Sequence, residues 1–322
     1  MEIGYKLFAE AHPPQELVRQ AVRAEAAGFD FVEISDHYHP WLESHGHSPF
    51  AWSVLAAIAA ATDRIRLVTG VTCPFIRYHP AIIAQAAATT ALLSDGRFTL
   101  GVGSGERLNE HVVGRGWPAI AGRQAMLRES LEIIRLLWLG GYRSYTGTHL
   151  VLEDARVFDL PDTPPPIAVA AGGPGSARLA ADLGDALFTT EPDAGLVAAY
   201  TEAGGDGPRY AEVPMAWAPD DDTALASAHE KFRFGLTGWK VQSELPNPAN
   251  FEAATALISP EHMKDTFGHG PGAAGHLAVA QKFVDAGFDH LALIDAGPDT
   301  DGFFDFYAAE LAGPLRHMRA DS

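Results

Sequence analysis

The sequence predicts an α/β fold, a closed (βα)8 TIM barrel, and two observations carry this prediction. Short apolar segments alternate with helical segments about eight times along the 322 residues. Strict alternation of this kind gives either a doubly wound sheet or a closed barrel, and eight units favour the barrel. The predicted strands are apolar on both faces, which fits a parallel sheet that is buried on both sides.

The predicted elements repeat in the order strand, polar turn and helix. The strands read GYKLF, FDFVEIS, RIRLVTGVT, RFTLGVGSGE, PIAVAAGG, DALFTTE, AEVPMAWAP and HLALIDAG. The first helix, ELVRQAVRAEAAG, has apolar residues at helical spacing and ends at Gly28, and another helix follows Pro80. Segments 143–166 and 233–275 are too long for simple connections, so we interpret them as insertions over one end of the barrel. No composition break suggests a linker, and we predict a single domain over residues 1–322.

Composition narrows the possible partners and the location. The net charge is −18, which argues against nucleic acid and against anionic membrane surfaces, because both are bound mainly through Lys and Arg. No apolar run approaches the roughly 18 residues of a membrane helix, and the N-terminus lacks the features of a signal peptide. Cys73 is the single cysteine, which fits a reducing compartment. We therefore expect a cytoplasmic protein whose partner is a small-molecule substrate.

Polar and glycine residues follow several predicted strands at the end where a barrel of this kind carries its chemistry. A single polar residue in such a place is usually an ordinary loop residue. These polar residues, however, follow different strands and would all face the opening at the carboxyl ends of the barrel strands, which we call the mouth. They are Glu10 after the first strand, Asp36, His37 and Trp41 after the second, Gly70 and Val71 after the third, and Ser104, Glu106 and Asn109 after the fourth. Their convergence predicts an active site.

A metal centre is the first alternative for the histidine-rich stretch. His37 and His39 after a barrel strand are typical of metal-dependent hydrolases, and Asp295 ends the eighth strand. Such centres need further imidazoles from other strands, and the fifth and sixth strands offer none. His45 and His47 are consistent with a solvated loop. We therefore expect no metal.

Two glycine-rich turns allow a ligand to approach the backbone closely. The first, GVGSGE, also places Glu106 in the mouth. The second, Ala171-Gly172-Gly173-Pro174, precedes a helix, and the backbone N–H groups at a helix start form an anion site. The alternative for this second turn is a tight turn and a helix cap without a ligand.

Six ordered motifs resemble the luciferase-like barrel superfamily: SDHYHPW, HSPF, FIRYHPAIIAQAAAT, GVGSGERLNE, LRESLEIIRLLW and AAGGP. Within it they look most like the coenzyme F420-dependent glucose-6-phosphate dehydrogenase group. The resemblance covers about residues 3–190 and resumes near 281–315. It implies a barrel with insertions, usually a homodimer, and a deazaflavin whose ring lies in the mouth.

The resemblance also implies roles for individual residues. A non-proline cis peptide is implied at Gly70-Val71. Cofactor contacts are implied for Asp36, Gly70, Val71, Ser104, Asn109, Ala171, Gly172, Gly173 and Thr190, and a catalytic group for His37, Trp41, Glu106 and Glu10. His37 has the side chain whose ordinary pKa lies nearest neutral pH, so it is the candidate to take the hydroxyl proton of an alcohol. Asp36 or Trp41 would assist it, and Glu106 would supply the proton that the reduced ring needs.

The substrate-binding part departs from the sugar-phosphate enzymes, which resemble one another in placing two Lys and one Arg around the phosphate. The first position falls in TTEPDAG, where this chain has Glu191, and the third falls near Lys264 and Asp265. Only Lys240 corresponds to the second. Carboxylates near a dianion are unfavourable, so we predict an F420-dependent dehydrogenase or reductase that acts on another small organic molecule. The alternatives are an FMN-dependent monooxygenase of the same superfamily and, from a different class, a metal hydrolase or a non-catalytic binding barrel.

Overall fold

The computed structural model describes residues 1–320 and contains two sheets. The strands are β1 (Glu2–Leu7), β2 (Phe31–Ile34), β3 (Arg66–Thr69), β4 (Phe98–Val102), β5 (Arg143–Thr146), β6 (Val151–Ala155), β7 (Ile167–Ala170), β8 (Ala186–Thr189), β9 (Arg209–Ala216), β10 (Gly268–His269) and β11 (His290–Asp295). β5 and β6 form an antiparallel hairpin, and the others belong to a nine-stranded sheet.

The large sheet closes on itself. Its neighbours run in the order β9, β11, β1, β2, β3, β4, β7 and β8, and β8 then pairs with β9. All of these pairings are parallel. The short β10 only extends the end of β9. The predicted fold class, a closed parallel barrel surrounded by helices, is therefore confirmed.

The helices follow the strands as the sequence predicts. They are α1 (Pro14–Ala27), α2 (Ala51–Ala61), α3 (Pro80–Leu93), α4 (Arg107–Glu110), α5 (Ile120–Trp138), α6 (Pro174–Leu183), α7 (Ala194–Glu202), α8 (Asp221–Phe232), α9 (Trp239–Gln242), α10 (Pro248–Ala254), α11 (Ala273–Asp285), α12 (Thr300–Phe306) and α13 (Ala312–His317). Several begin at proline, whose fixed φ suits the first helical position. Gly28 ends α1 at a φ of 88°, a left-handed conformation that glycine adopts at little cost.

Alternation along β1 separates the outer core from the barrel interior. Tyr5 points to the helices, where its ring packs on Phe29 and Phe304 at centroid distances of 5.7 and 4.7 Å. Lys6, the next residue, points inward and pairs in register with Glu33 of β2. Successive side chains of a strand point to opposite faces of the sheet. The charged side chain of Lys6 therefore lies inside the barrel, although β1 looks apolar in the sequence.

The two predicted insertions lie in different places. The hairpin of 143–166 packs along the outer helices: the Glu129 carboxylate of α5 accepts hydrogen bonds from the N–H groups of Thr148, His149 and Leu150. Segment 233–275 contains α9 and α10 and contacts the loops at the carboxyl ends of the strands. The expected cover over the barrel end is formed by this second segment. Among residues 1–320, no helix combines the length and apolar composition needed to cross a membrane.

Candidate active site

A buried imidazole–carboxylate pair lies where β1 and β2 end. Because these strands are neighbours, the loops after them bring Glu10 and His37 together, and Nδ1 of His37 hydrogen-bonds to Oε1 of Glu10. The two residues are 1% and 8% exposed. Burial by itself would lower the pKa of His37, but the Glu10 carboxylate outweighs it and the pKa is raised. Burial likewise opposes ionisation of Glu10, yet His37 holds the pKa of that carboxyl below its usual range.

Trp41 forms an aromatic wall beside His37. Its ring meets the imidazole edge to face, with centroids 5.1 Å apart. Phe234 stacks on the indole at 4.7 Å with an interplanar angle of 9°, and Phe251 contacts it edge to face at 5.1 Å. All three aromatic residues are buried. Segment 233–275 therefore completes an apolar surface next to the imidazole.

Glu106 and Asn109 tie the loop after β4 to the loop of His37. Asn109 Oδ1 accepts hydrogen bonds from the backbone N–H groups of Tyr38 and His39 at 2.9 and 3.0 Å. Its Nδ2 lies 3.4 Å from Oε2 of Glu106. The Glu106 carboxylate also contributes to the raised pKa of His37. The two predicted catalytic groups thus occupy the same region of the mouth.

Asp36 is held by four side chains of the protein. Its Oδ2 accepts from Thr72 Oγ1 at 2.9 Å and Trp52 Nε1 at 3.2 Å. Its Oδ1 accepts from Tyr78 OH and pairs with Arg77, each at 3.1 Å. This carboxylate, which is 2% exposed, therefore fixes the loops after β2 and β3 relative to each other. A contact between Asp36 and a cofactor would be additional to these four contacts.

Arg77 is a site residue that the sequence did not reveal. It joins Asp36 to Glu110, because its backbone N–H donates to Glu110 Oε2 at 2.9 Å and its Nε lies 3.6 Å from Oε1. Burial raises the pKa of Glu110 to about 7, although Arg77 opposes the shift. Arg77 stands within the matched motif FIRYHP, but nothing local marks its partners, which are far away in the chain.

The floor of the mouth is formed by the Gly70–Val71 peptide together with Gly101 and Gly103. The Gly70–Val71 peptide is cis, as the resemblance implies. A Cβ atom on Gly103 would lie 2.7 Å from Cγ2 of Val71, and one on Gly101 would lie 1.8 Å from the carbonyl oxygen of Thr69. Only glycine fits at these two positions, so the glycines of GVGSGE are required for packing against the third strand, whatever they bind.

Ser104 lies in the loop after β4 and is half-buried. The remaining predicted residues lie on the β7–β8 side. Ala171 is buried, Gly173 is half-buried, and Gly172, Thr190 and Lys240 are exposed. Helix α6 begins at Pro174 and no side chain caps its first turn. A Cβ on Gly172 would meet Trp239 at 3.0 Å, so α9, which carries Lys240, covers this turn. The residue after α9 reaches the opposite side, where Ser243 O accepts from Arg107 N at 3.1 Å.

The histidines that suggested a metal have other partners. His39 Nδ1 contacts the carbonyl of Leu108 at 3.0 Å, and His45 Nε2 contacts that of Lys231 at 2.9 Å. Within residues 1–320, no group of three or more His, Cys, Asp or Glu side chains is arranged to hold a metal ion. The expectation of a solvated loop was wrong for His45, which is buried between Phe8 and Phe234 because segment 233–275 covers it. His47 is exposed.

Comparison with known proteins identifies the family of the chain. Residues 1–290 match the luciferase-like monooxygenase family. A curated relative, the F420-dependent glucose-6-phosphate dehydrogenase of Beutenbergia cavernae, is 35% identical, and the alignment covers 98% of each chain. A solved F420-dependent secondary alcohol dehydrogenase in complex with an F420-acetone adduct is 28% identical, with a TM-score of 0.91 over 98% of this chain and 99% of that one. The coenzyme F420-dependent tetrahydromethanopterin reductase of Methanopyrus kandleri, 19% identical, shares the fold, with a TM-score of 0.76 over 98% and 99% of the chains.

The chain belongs to the luciferase-like monooxygenase family. Its likeness to F420-dependent dehydrogenases identifies it as an oxidoreductase.

Proposed function

We propose that this oxidoreductase transfers a hydride between coenzyme F420 and a small, uncharged alcohol or carbonyl compound. The observation that carries the proposal is the buried His37–Glu10 pair beside a glycine floor. An alcohol must lose a proton as well as a hydride, and this pair can take it. The names of the dehydrogenases that resemble the chain support the choice of F420.

The residues present fit a deazaflavin with a phosphate-bearing side chain. Gly101 and Gly103 bring the backbone of β4 and its following loop into close contact with Thr69 and Val71, and we assign this surface to the cofactor ring. The uncapped start of α6 at Gly173 supplies free N–H groups and a positive helix end for a phosphate. Bound there, F420 supplies a ring carbon that accepts or gives up a hydride. The residues that would hold it are Asp36, Gly70, Val71, Ser104, Asn109, Ala171, Gly172, Gly173 and Thr190.

Proton transfer falls to His37. Glu10 occupies Nδ1, so Nε2 is the nitrogen left to exchange a proton with the substrate. In the oxidation direction neutral His37 takes the hydroxyl proton, and the Glu10 carboxylate stabilises the imidazolium that forms. In the reduction direction His37 returns the proton to the carbonyl oxygen. We assign to Glu106, which contacts Asn109, the exchange of the second proton that the reduced cofactor would need.

The aromatic wall and the charges nearby support an uncharged substrate. Trp41 lies beside His37, and Phe234 and Phe251 are buried behind its indole. We assign to Trp41 the contact with hydrocarbon parts of a substrate, which an apolar ring binds by excluding water. Glu191 is exposed at the end of β8, and Lys264 pairs with Glu261 at 2.8 Å. A sugar phosphate would find carboxylates where it needs cations. Lys240 stays a predicted substrate contact.

The test is to titrate the pure protein with F420, follow its absorption near 400 nm and its fluorescence, and then screen substrates in both redox directions. We expect binding, and turnover with small secondary alcohols or ketones but not with glucose 6-phosphate. Absence of F420 binding, with FMN bound instead and oxygen consumed, would identify a monooxygenase. The homodimer and the cytoplasmic location remain predictions, and sedimentation of the pure protein checks the first.

A further inference from the structure

A buried lysine lies inside the barrel below the mouth, and the proton transfer described above does not use it. Lys6 Nζ donates to Oε1 of Glu33 at 2.7 Å, to Oε1 of Glu212 at 2.6 Å and to the carbonyl oxygen of Gly70 at 2.8 Å. Its side chain is 6% exposed. Apolar side chains fill a barrel interior at lower cost than buried charges. We therefore expect Lys6 to have a role other than stabilising the barrel.

The contact with Gly70 connects Lys6 to the floor of the mouth. The N–H of Gly70 donates to the carbonyl of Ile34 at 2.8 Å, while its carbonyl accepts from Lys6. A Cβ on Gly70 would lie 2.3 Å from Oε1 of Glu33, so the Lys6–Glu33 pair packs directly against this residue. Val71 follows and touches Gly103. The lysine thus holds the peptide on which the floor of the mouth rests.

The ammonium also lies within electrostatic reach of the His37–Glu10 pair. The charged groups acting on that pair are Lys6 from β1 and Glu106 from the loop after β4, and those facing Lys6 are Glu33 from β2 and Glu212 from β9. Lys6 lowers the pKa of Glu10 and of His37.

Two carboxyl groups surround the Lys6 ammonium inside the barrel. Burial raises the pKa of Glu33 well above its ordinary value, and Glu212 adds to the shift while Lys6 opposes it. Both carboxyl groups and the Gly70 carbonyl fix the position of the ammonium.

We propose that Lys6 is a positioning residue, which holds the Gly70 carbonyl in the floor of the mouth and supplies a fixed positive charge to the His37–Glu10 pair. The inference rests on the proposed function, because the floor receives the cofactor and the pair handles the substrate proton. The charged groups inside the barrel would then contribute to the reaction as well as to the stability of the barrel.

The experiment removes the charges together. The variant Lys6→Met/Glu33→Gln/Glu212→Gln keeps the interior volume and leaves no unpaired buried charge. We expect F420 binding, measured by fluorescence, to weaken about tenfold, since a charge-assisted hydrogen bond to the floor is lost. The acid limb of the pH profile of alcohol oxidation should move up by about half a pH unit, because the charge that lowers the pKa of His37 is gone.

Glu212→Gln is the matched control. It keeps Lys6, its bond to Gly70 and the carboxyl group of Glu33. We expect its acid limb at the wild-type pH. If the triple variant does not fold, Lys6→Gln/Glu212→Gln carries the same two measurements.

The outcomes separate the two proposals. A wild-type protein that binds no F420 overturns the proposed function, and with it the role of Lys6. A wild-type protein that turns over, alongside a folded variant with unchanged F420 affinity and an unmoved acid limb, overturns the role of Lys6 alone. A lower melting temperature with unchanged affinity and an unmoved limb also overturns that role, since it shows a lysine that only stabilises the barrel.

Discussion

The two sides of the mouth are built differently. On the side of β1 to β4, side chains such as Glu10, Asp36 and Asn109 are buried and bonded to other loops. On the side of β7 and β8, Gly172 and Thr190 are exposed, and so is Lys240 of the short helix α9, whose Trp239 lies next to Gly172. A network whose members position one another resists change, whereas an exposed rim can change at little cost. We infer that substitutions on the first side change the reaction most, and that the exposed second side tolerates substitution better.

The largest effect is expected for the imidazole. His37→Ala should lower turnover by about two to four orders of magnitude, the usual contribution of a general base or acid. F420 affinity should stay within about twofold, because His37 is not among the predicted cofactor contacts. Steady-state kinetics and an F420 titration measure both. His47→Ala removes an exposed imidazole of the same loop and should behave as wild type, and a fully active His37→Ala would refute the assignment.

Glu10→Gln should come next, with a change in pH dependence. The carboxylate raises the pKa of His37 against the effect of burial. Without it burial dominates, the pKa falls, and neutral His37 persists to lower pH. The acid limb of alcohol oxidation should therefore move down, and turnover should fall about tenfold, since the imidazolium loses its partner. Glu43→Gln, at an exposed carboxylate, is the control. An upward movement of the limb would contradict the pairing.

Phe234→Ala tests the aromatic group beside His37. The ring is 4% exposed and stacks on Trp41, so its truncation leaves a cavity behind the indole and releases it from its position. We expect the KM for a branched secondary alcohol to rise about tenfold, while F420 affinity changes little. Leu257→Ala, at a residue that is 94% exposed in the same segment, provides the comparison. An unchanged KM would mean that segment 233–275 does not line the substrate pocket.

The smallest effect is expected at Lys240. Its side chain is exposed on α9, so Lys240→Ala should change kcat/KM for an uncharged alcohol by less than about twofold, as exposed charges usually do. The measurement is repeated with sugar phosphates as a second class of substrate. A large loss confined to an anionic substrate would identify Lys240 as its ligand and would show that the rim binds phosphate after all.

Several features of the protein could be predicted from the sequence because they depend on local pattern or on matched motifs. The alternation of strands and helices predicts the barrel, and strand ends meet at one rim in such a fold, so Glu10, His37 and Glu106 could be placed in one mouth. The cis peptide at Gly70–Val71 followed from the resemblance.

Only the tertiary structure decided which side chains are partners. Arg77 reaches Asp36 and Glu110 across separate loops, and Lys6 reaches Glu33 and Glu212 because strand register, not proximity in the chain, brings them together. His45 reads as a loop residue, yet it is buried because a segment from the far end of the chain folds over it. Hydrogen bonds and burial depend on distances in space, and a single sequence specifies those distances only through the complete fold.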